Sequence, residues 1–211
     1  MKTKELKLLS VILLVLAGTL SGQVSDTGGH GIDWHVSFIN GWFTGGTWLQ
    51  TEIDGEAVEL HTNDSWITGL RFSVEQEFFG LEGTLAGVFY DASLAADPSL
   101  LDIPSVSDAS LLLIGINGLV FPMGNELSEG RVKPYITAGP GLAVLYSDFD
   151  EADGEAMLDL NVGGGIKFLL GDEGNPELRI DWRWHYMDGK DAGLRNRIYH
   201  QELTIGIGLR F

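Results

Sequence analysis

The sequence predicts an all-β fold: an eight-stranded, antiparallel, up-and-down transmembrane β-barrel. Three observations predict it. Apolar and polar residues alternate with period two through most of the chain after residue 33. A late segment opposes Glu177, Arg179, Asp181, Arg183 and His185 to Leu178, Ile180, Trp182, Trp184 and Tyr186. Long and short connections also alternate along the chain.

Composition narrows the class first. The 211 residues carry 13 Lys plus Arg against 30 Asp plus Glu, a net charge of −17. Such acidity excludes a protein that grips nucleic acid or an anionic surface through a basic patch. Cysteine is absent, so disulfides, thiolate metal sites and cysteine nucleophiles are excluded. With 44% hydrophobic residues and 29 glycines, the chain is too apolar for general disorder and too Gly-rich for a helical bundle.

The N-terminus reads as an export signal. Lys2, Lys4 and Lys7 precede an apolar run from Leu8 to Leu16, and small residues follow at Ala17, Gly18, Thr19, Ser21 and Gly22. A membrane-anchoring helix needs about 20 apolar residues, and this run has roughly half that. Residues 1–22 are therefore expected to be a cleaved signal peptide, 23–32 a periplasmic segment and 33–211 the barrel. Removing the signal takes three lysines and Glu5, leaving 10 bases against 29 acids, a net charge of −19.

Strands are expected near 33–44, 65–76, 81–91, 109–121, 131–147, 156–170, 177–186 and 199–211. Each is long enough to cross a bilayer when tilted. In the last, Leu203, Ile205, Ile207, Leu209 and Phe211 oppose Glu202, Thr204, Gly206, Gly208 and Arg210. Five ionisable groups in a row cannot point into an ordinary apolar core, and five large apolar ones make a poor solvent face. The pairing makes sense if the apolar face meets lipid and the charged face lines the interior. Open sheet edges are intolerable in hydrocarbon, so eight such strands close into a barrel. The connections 46–64, 92–108, 148–155 and 187–198 are long and belong outside the cell. Those at 76–80, 122–130 and 171–176 are short and belong in the periplasm. A soluble barrel shares the strand count but turns the opposite face inward.

Several segments also resemble a known family. Thr204-x-Gly206-x-x-Leu209-x-Phe211 resembles the C-terminal assembly signal of bacterial outer-membrane barrels, with Leu209 where an aromatic is more usual. Lys133-Pro134-Tyr135-Ile136-Thr137-Ala138-Gly139-Pro140-Gly141 and Leu160-Asn161-Val162-Gly163-Gly164-Gly165 resemble strands five and six of the small outer-membrane β-barrels that include the OmpA transmembrane domain, OmpX and OmpW. The resemblance spans residues 33–211. It implies location in the outer membrane of a Gram-negative bacterium, contact with lipid and lipopolysaccharide, delivery by the barrel assembly machinery, a monomeric state and no cofactor.

Parity assigns the inward face. The inward bases are Arg71, Lys133, Lys167, Arg179, Arg183 and Arg210; the inward acids are Glu75, Glu82, Asp159, Glu177, Asp181 and Glu202. Six oppose six, as expected of paired ions, since unpaired charges are costly to bury. Glycines 69, 139, 141, 163, 165, 206 and 208 leave room for the long side chains. This favours a plugged interior and a structural or surface-interaction role; the alternative is a small-solute or ion pore whose pairs rearrange. Aromatic girdles are expected at Trp42, Trp66, Tyr146, Tyr186 and Tyr199 at one rim, and at Trp34, Phe168 and Phe211 at the other.

Catalysis finds little support. His35 and Ser37 share an inward face, and lipid A deacylases of this barrel size use a His-x-Ser pair, but on a late strand facing lipid. The late histidine, His185, is followed by Tyr186 and Met187, so the nucleophile is missing there. The connection 148–155 holds Asp148, Asp150, Asp153 and Glu155, a weak calcium candidate. Its spacing departs from Asp-x-Asp-x-Asp-Gly, and a solvated acidic loop is the simpler reading. The long connections Thr47 to Asp64 and Ala92 to Asp108 could carry ligand recognition.

Overall fold

A computed structural model describes residues 31–53, 56–95, 106–124, 126–147, 155–170, 176–189 and 196–211. The strands are β1 (Asp33–Phe43), β2 (Gly46–Ile53), β3 (Glu56–Thr62), β4 (Ser65–Glu75), β5 (Phe79–Ala95), β6 (Val106–Val120), β7 (Val132–Ser147), β8 (Glu155–Leu169), β9 (Pro176–Gly189) and β10 (Asn196–Arg210). Eight of them, β1 and β4 to β10, form the barrel. β4 to β9 each pair antiparallel with the next strand, and β1 pairs with both β4 and β10. The sheet therefore closes on itself and has no edge within the wall.

Alternation sets which side chains face out. Trp34, Phe38 and Trp42 on β1, Ile180, Trp182 and Trp184 on β9, and Leu203, Ile205, Ile207 and Leu209 on β10 are all exposed, while the residues that alternate with them are buried or half-buried. An apolar wall around a charged interior is the reverse of a soluble barrel. From Trp34 to Trp42 along a tilted strand the apolar belt is on the order of 20 Å tall, close to what a hydrocarbon layer requires.

The first long connection is not the open loop expected over 46–64. It forms β2 and β3, which pair with each other in the register of the barrel strands below them. Asp33↔Glu75 through Phe43↔Ser65 continues as Gly46↔Thr62, and the frame slips only at a bulge between Thr47 and Leu49. β1–β2 and β3–β4 are thus the two arms of one long hairpin, interrupted at Thr44–Gly45 and Asn63–Asp64. The interruption is stapled where Gly45 N donates to Asp64 Oδ1 at 2.8 Å and Thr44 N donates to Gln201 O at 2.9 Å. The signal for it was present: Asp54-Gly55, between Ile53 and Glu56, is a favoured hairpin dipeptide. The connections expected over 92–108 and 187–198 are also shorter, because β5 runs on to Ala95, β6 begins at Val106, β9 runs on to Gly189 and β10 begins at Asn196.

At the opposite end, Gln76 N donates to Phe79 O at 2.7 Å, closing a tight turn, and Leu170 N donates to Pro176 O at 2.8 Å, joining the ends of β8 and β9. The connection from Phe121 to Arg131 contains one 3-10 turn, Leu127–Gly130, and Gly124 and Gly130 take positive φ values of 48° and 80° that favour glycine. Phe211 N donates to Trp34 O at 2.8 Å and Trp34 N to Phe211 O at 3.3 Å, so the last residue is laced to the start of β1.

Candidate functional site

The chemistry of this chain lies inside the barrel, and it is arranged in tiers along the axis. Nearest the short-turn end, Lys133 approaches Asp33 at 4.0 Å and stands over the Phe121 ring at 5.7 Å. Arg210 reaches the same Asp33 at 3.8 Å but is only partly buried. The parity assignment of Arg210 to the lumen interior is therefore corrected: it lies at the rim, because it is the last residue of β10.

Above this rim lies a first buried cluster. Lys167 bonds Glu75, and its Nζ lies 3.4 Å from Glu177. His35 bridges the same two carboxylates, with Nδ1 2.6 Å from Glu177 and Nε2 3.3 Å from Glu75. Ser73 donates to Glu75 at 2.5 Å and Ser37 to Glu177 at 2.9 Å. His35 and Ser37 thus share a carboxylate and do not bond each other, and both face the closed interior, away from any lipid.

The middle tier is built from three arginines exposed by no more than 1%: Arg71, Arg179 and Arg183. Glu82 takes Arg183 at 2.5 Å and Arg179 at 2.8 Å, with Arg71 Nε 3.8 Å away. Asp181 takes Arg71 at 2.8 Å and both Nε and Nη2 of Arg179 at 2.8 and 2.9 Å. Glu202 takes Arg71, and Thr204 donates to it at 3.0 Å. Tyr135 accepts from Arg179 at 2.7 Å. A third group extends outward: His185 Nδ1 lies 3.1 Å from Asp159 and its Nε2 3.2 Å from Glu202.

All twelve side chains named from the sequence are accounted for by this column and its rim, yet the charge balance differs from six against six. Within the buried column six carboxylates face four strong bases, Arg71, Lys167, Arg179 and Arg183. The remaining partners are His35 and His185, each ring wedged between two carboxylates. A carboxylate only accepts, so each ring satisfies both partners when both its nitrogens carry hydrogen. His185 stood on the charged face in the sequence, but nothing there showed that a ring would take the place of a sixth base. Asp33, Ser37, Ser73 and Tyr135 join the network without having been singled out for it.

The outer half of the lumen is different in kind. Ile39, Phe43, Ile67, Val88, Leu111, Leu113, Leu145, Met157, Met187 and Ile198 form one buried apolar cluster. The expected polar interior is therefore confined to the lower and middle tiers. Both faces of β6 are apolar in sequence, so parity could not reveal this layer. His200 lies beside it, its Nδ1 2.7 Å from Thr44 O and its ring 4.9 Å from that of Phe43.

The assembly-signal residues split by face. Thr204 and Gly206 point inward, and a Cβ on Gly206 would meet Arg179 Cγ at 2.6 Å. Leu209 and Phe211 point outward on the exposed wall. Of the acidic loop, Asp148, Asp150 and Asp153 lie outside the described residues, and Glu155 opens β8 opposite Leu145.

No family model matches the chain, and no curated protein matches its sequence. Solved structures do match. Neisserial surface protein A is 16% identical with a TM-score of 0.58, covering 86% of this chain and 99% of its own. The outer membrane protein OprG from Pseudomonas aeruginosa is 15% identical with a TM-score of 0.60, covering 87% and 98%. The outer membrane protein AlkL is 15% identical with a TM-score of 0.55, covering 90% and 95%. At such identity the likeness is one of fold, and by its fold this chain is a small, eight-stranded β-barrel of the outer-membrane kind.

Proposed function

We propose that this chain is an integral outer-membrane β-barrel protein of a Gram-negative bacterium, exported by its N-terminal signal, with a plugged lumen and a structural or surface-interaction role. The observation that carries the reading is the column of buried ion pairs. Three arginines and a lysine from β4, β8 and β9 meet carboxylates from β4, β5, β9 and β10 across the barrel axis. Opening a path through them requires separating charges that are already out of water, which is costly. An apolar layer lies beyond them.

On this reading, lipid and lipopolysaccharide surround the apolar wall and the barrel assembly machinery inserts it, with no cofactor needed. Contact with other molecules falls to the loop end, where β2 and β3 lengthen the first hairpin. Planar-bilayer recording of the pure refolded protein tests the plug. The expected result is an absence of steady conductance. Stable, large channels would overturn it and favour the pore. Migration on gels with and without boiling tests the barrel, which should run compactly until heated.

A further inference from the structure

We infer that the lumen contains, beside the ion-pair column, a closed chamber on the β6–β8 wall that binds small uncharged hydrogen-bonding molecules, either water or a solute of urea size. The starting point is a set of buried side chains that each keep at least one polar atom without a hydrogen-bond partner in the protein. Asn117 and Thr137 are each 1% exposed and Asn161 6%. Asn117 leaves both Nδ2 and Oδ1 unpaired, Thr137 its hydroxyl and Asn161 its Oδ1, and the Thr84 hydroxyl on β5 is unpaired too. Buried polar atoms in native proteins are rarely left so; they are met by protein or by ordered water.

These groups are neighbours. Glu82↔Asn117 and Thr84↔Gly115 pair across β5 and β6, and Gly139↔Asn161 across β7 and β8. Asn161 Nδ2 donates to Gly139 O at 3.2 Å. A Cβ on Gly139 would stand 2.5 Å from Asn117 Oδ1, so the two asparagines flank this glycine from either side. Glycines replace side chains around them. At Gly115 an added Cβ would meet only backbone, at 3.6 and 3.9 Å. The backbone contributes as well. Pairing of β6 with β7 stops at Gly115↔Gly141 and resumes at Gly118↔Ala138, and Pro140 in the gap has no N–H to give.

Apolar layers close the chamber at both ends. Ala86, Leu111, Leu113, Ala143 and Met157 lie on the loop side, and Leu119, Phe121 and Tyr135 on the turn side. The third side is the column itself, where Arg183 packs against Gly163 and Glu82 is engaged by arginines. Those charges are matched to one another, so the groups left open are neutral amides and hydroxyls. Together they offer donors and acceptors at short range, which suits an uncharged molecule with both and gives an ion no counter-charge.

The test uses the refolded chain in micelles, with water-selective nuclear Overhauser spectroscopy on the Asn117 and Asn161 side-chain amides. Cross-peaks to water are expected at both and should vanish from Asn161 in Asn117→Leu. Urea is then added at non-denaturing concentration. Attenuation of the cross-peaks identifies a chamber that admits solutes of that size, and persistence identifies resident water. Absence of any water contact at both amides in the unmodified protein overturns the inference. Thr137→Val gives an independent reading. A hydroxyl that bonds chamber water loses a partner, and the urea midpoint of unfolding falls. A rise in that midpoint would mean the hydroxyl was dry and there is no chamber.

Discussion

Glu82→Gln is the sharpest single perturbation of the column, because it deletes one negative charge and leaves shape and size nearly unchanged. Glu82 meets Arg183 at 2.5 Å, Arg179 at 2.8 Å and Arg71 at 3.8 Å. At an effective dielectric near 20, each such pair is worth about 4–7 kcal/mol of Coulomb attraction. The amide forfeits that attraction but also sheds the carboxylate's desolvation cost. The other partners decide the balance. Arg179 keeps Asp181 at 2.8 Å and Arg71 keeps Asp181 and Glu202, whereas Arg183 retains only Asp181 at 3.8 Å. One arginine is thus left nearly uncompensated in the interior, and breaking a buried pair in this way costs about 3–5 kcal/mol. Arg183→Met should cost a similar amount, and the double variant should recover at least half of the summed loss, since neither charge is then stranded. Urea unfolding of the barrel in lipid vesicles, followed by tryptophan fluorescence and by gel mobility, gives the four stabilities of the cycle. If Glu82→Gln costs under about 1 kcal/mol and the two changes add, Glu82 and Arg183 are not coupled.

Three further outcomes are expected. Ile180→Arg, on the exposed wall between Ile166 and Ile205, should cost about 2–4 kcal/mol in vesicles, as a charge at the bilayer midplane does; no effect would count against a lipid-facing wall. Gly163→Ala should greatly reduce the heat-modifiable fraction after refolding, because its Cβ would stand 2.2 Å from Trp182 O, whereas Gly83→Ala, with nothing within 4 Å, should refold as the parent does. Asp64→Ala removes the acceptor for Gly45 N and should lower stability by about 1 kcal/mol, with faster amide exchange at Gly45 than at Ile39 as the local readout.

How much was legible in the sequence depended on contrast between faces. On β9 every inward residue from Glu177 to His185 is ionisable and every outward one is apolar, so parity alone placed Arg179, Asp181 and Arg183 in the lumen. On β6 the run Leu111 to Ile116 is apolar on both faces, and alternation carries no information about which side is which. The apolar outer tier of the lumen was invisible for that reason. Arg210 shows another limit: parity gives direction but not depth, and a residue at the last position of a strand points inward over the rim. The hairpin of β2 and β3 was missed because Thr44-Gly45 and Asn63-Asp64 look like the ends of strands. They are joints, and the constant register across them is a property of pairing that no single strand's sequence displays. The two histidines were hidden more deeply, since their role depends on which carboxylates converge from β4, β8, β9 and β10.

The lacing of Phe211 to Trp34 also bears on the order of events when the molecule is made. Every other seam in the wall joins strands that follow one another among the eight barrel strands, so its contacts close short stretches of chain. The seam between β1 and β10, from His35↔Arg210 to Phe43↔Glu202, joins the first barrel strand to the last. Until β10 pairs, the backbone of β1 presents an open edge, a row of unpaired N–H and C=O groups able to pair with another chain. The terminal strand is in this sense a latch: the molecule cannot be sealed early, and a chain truncated by even one strand cannot be sealed at all.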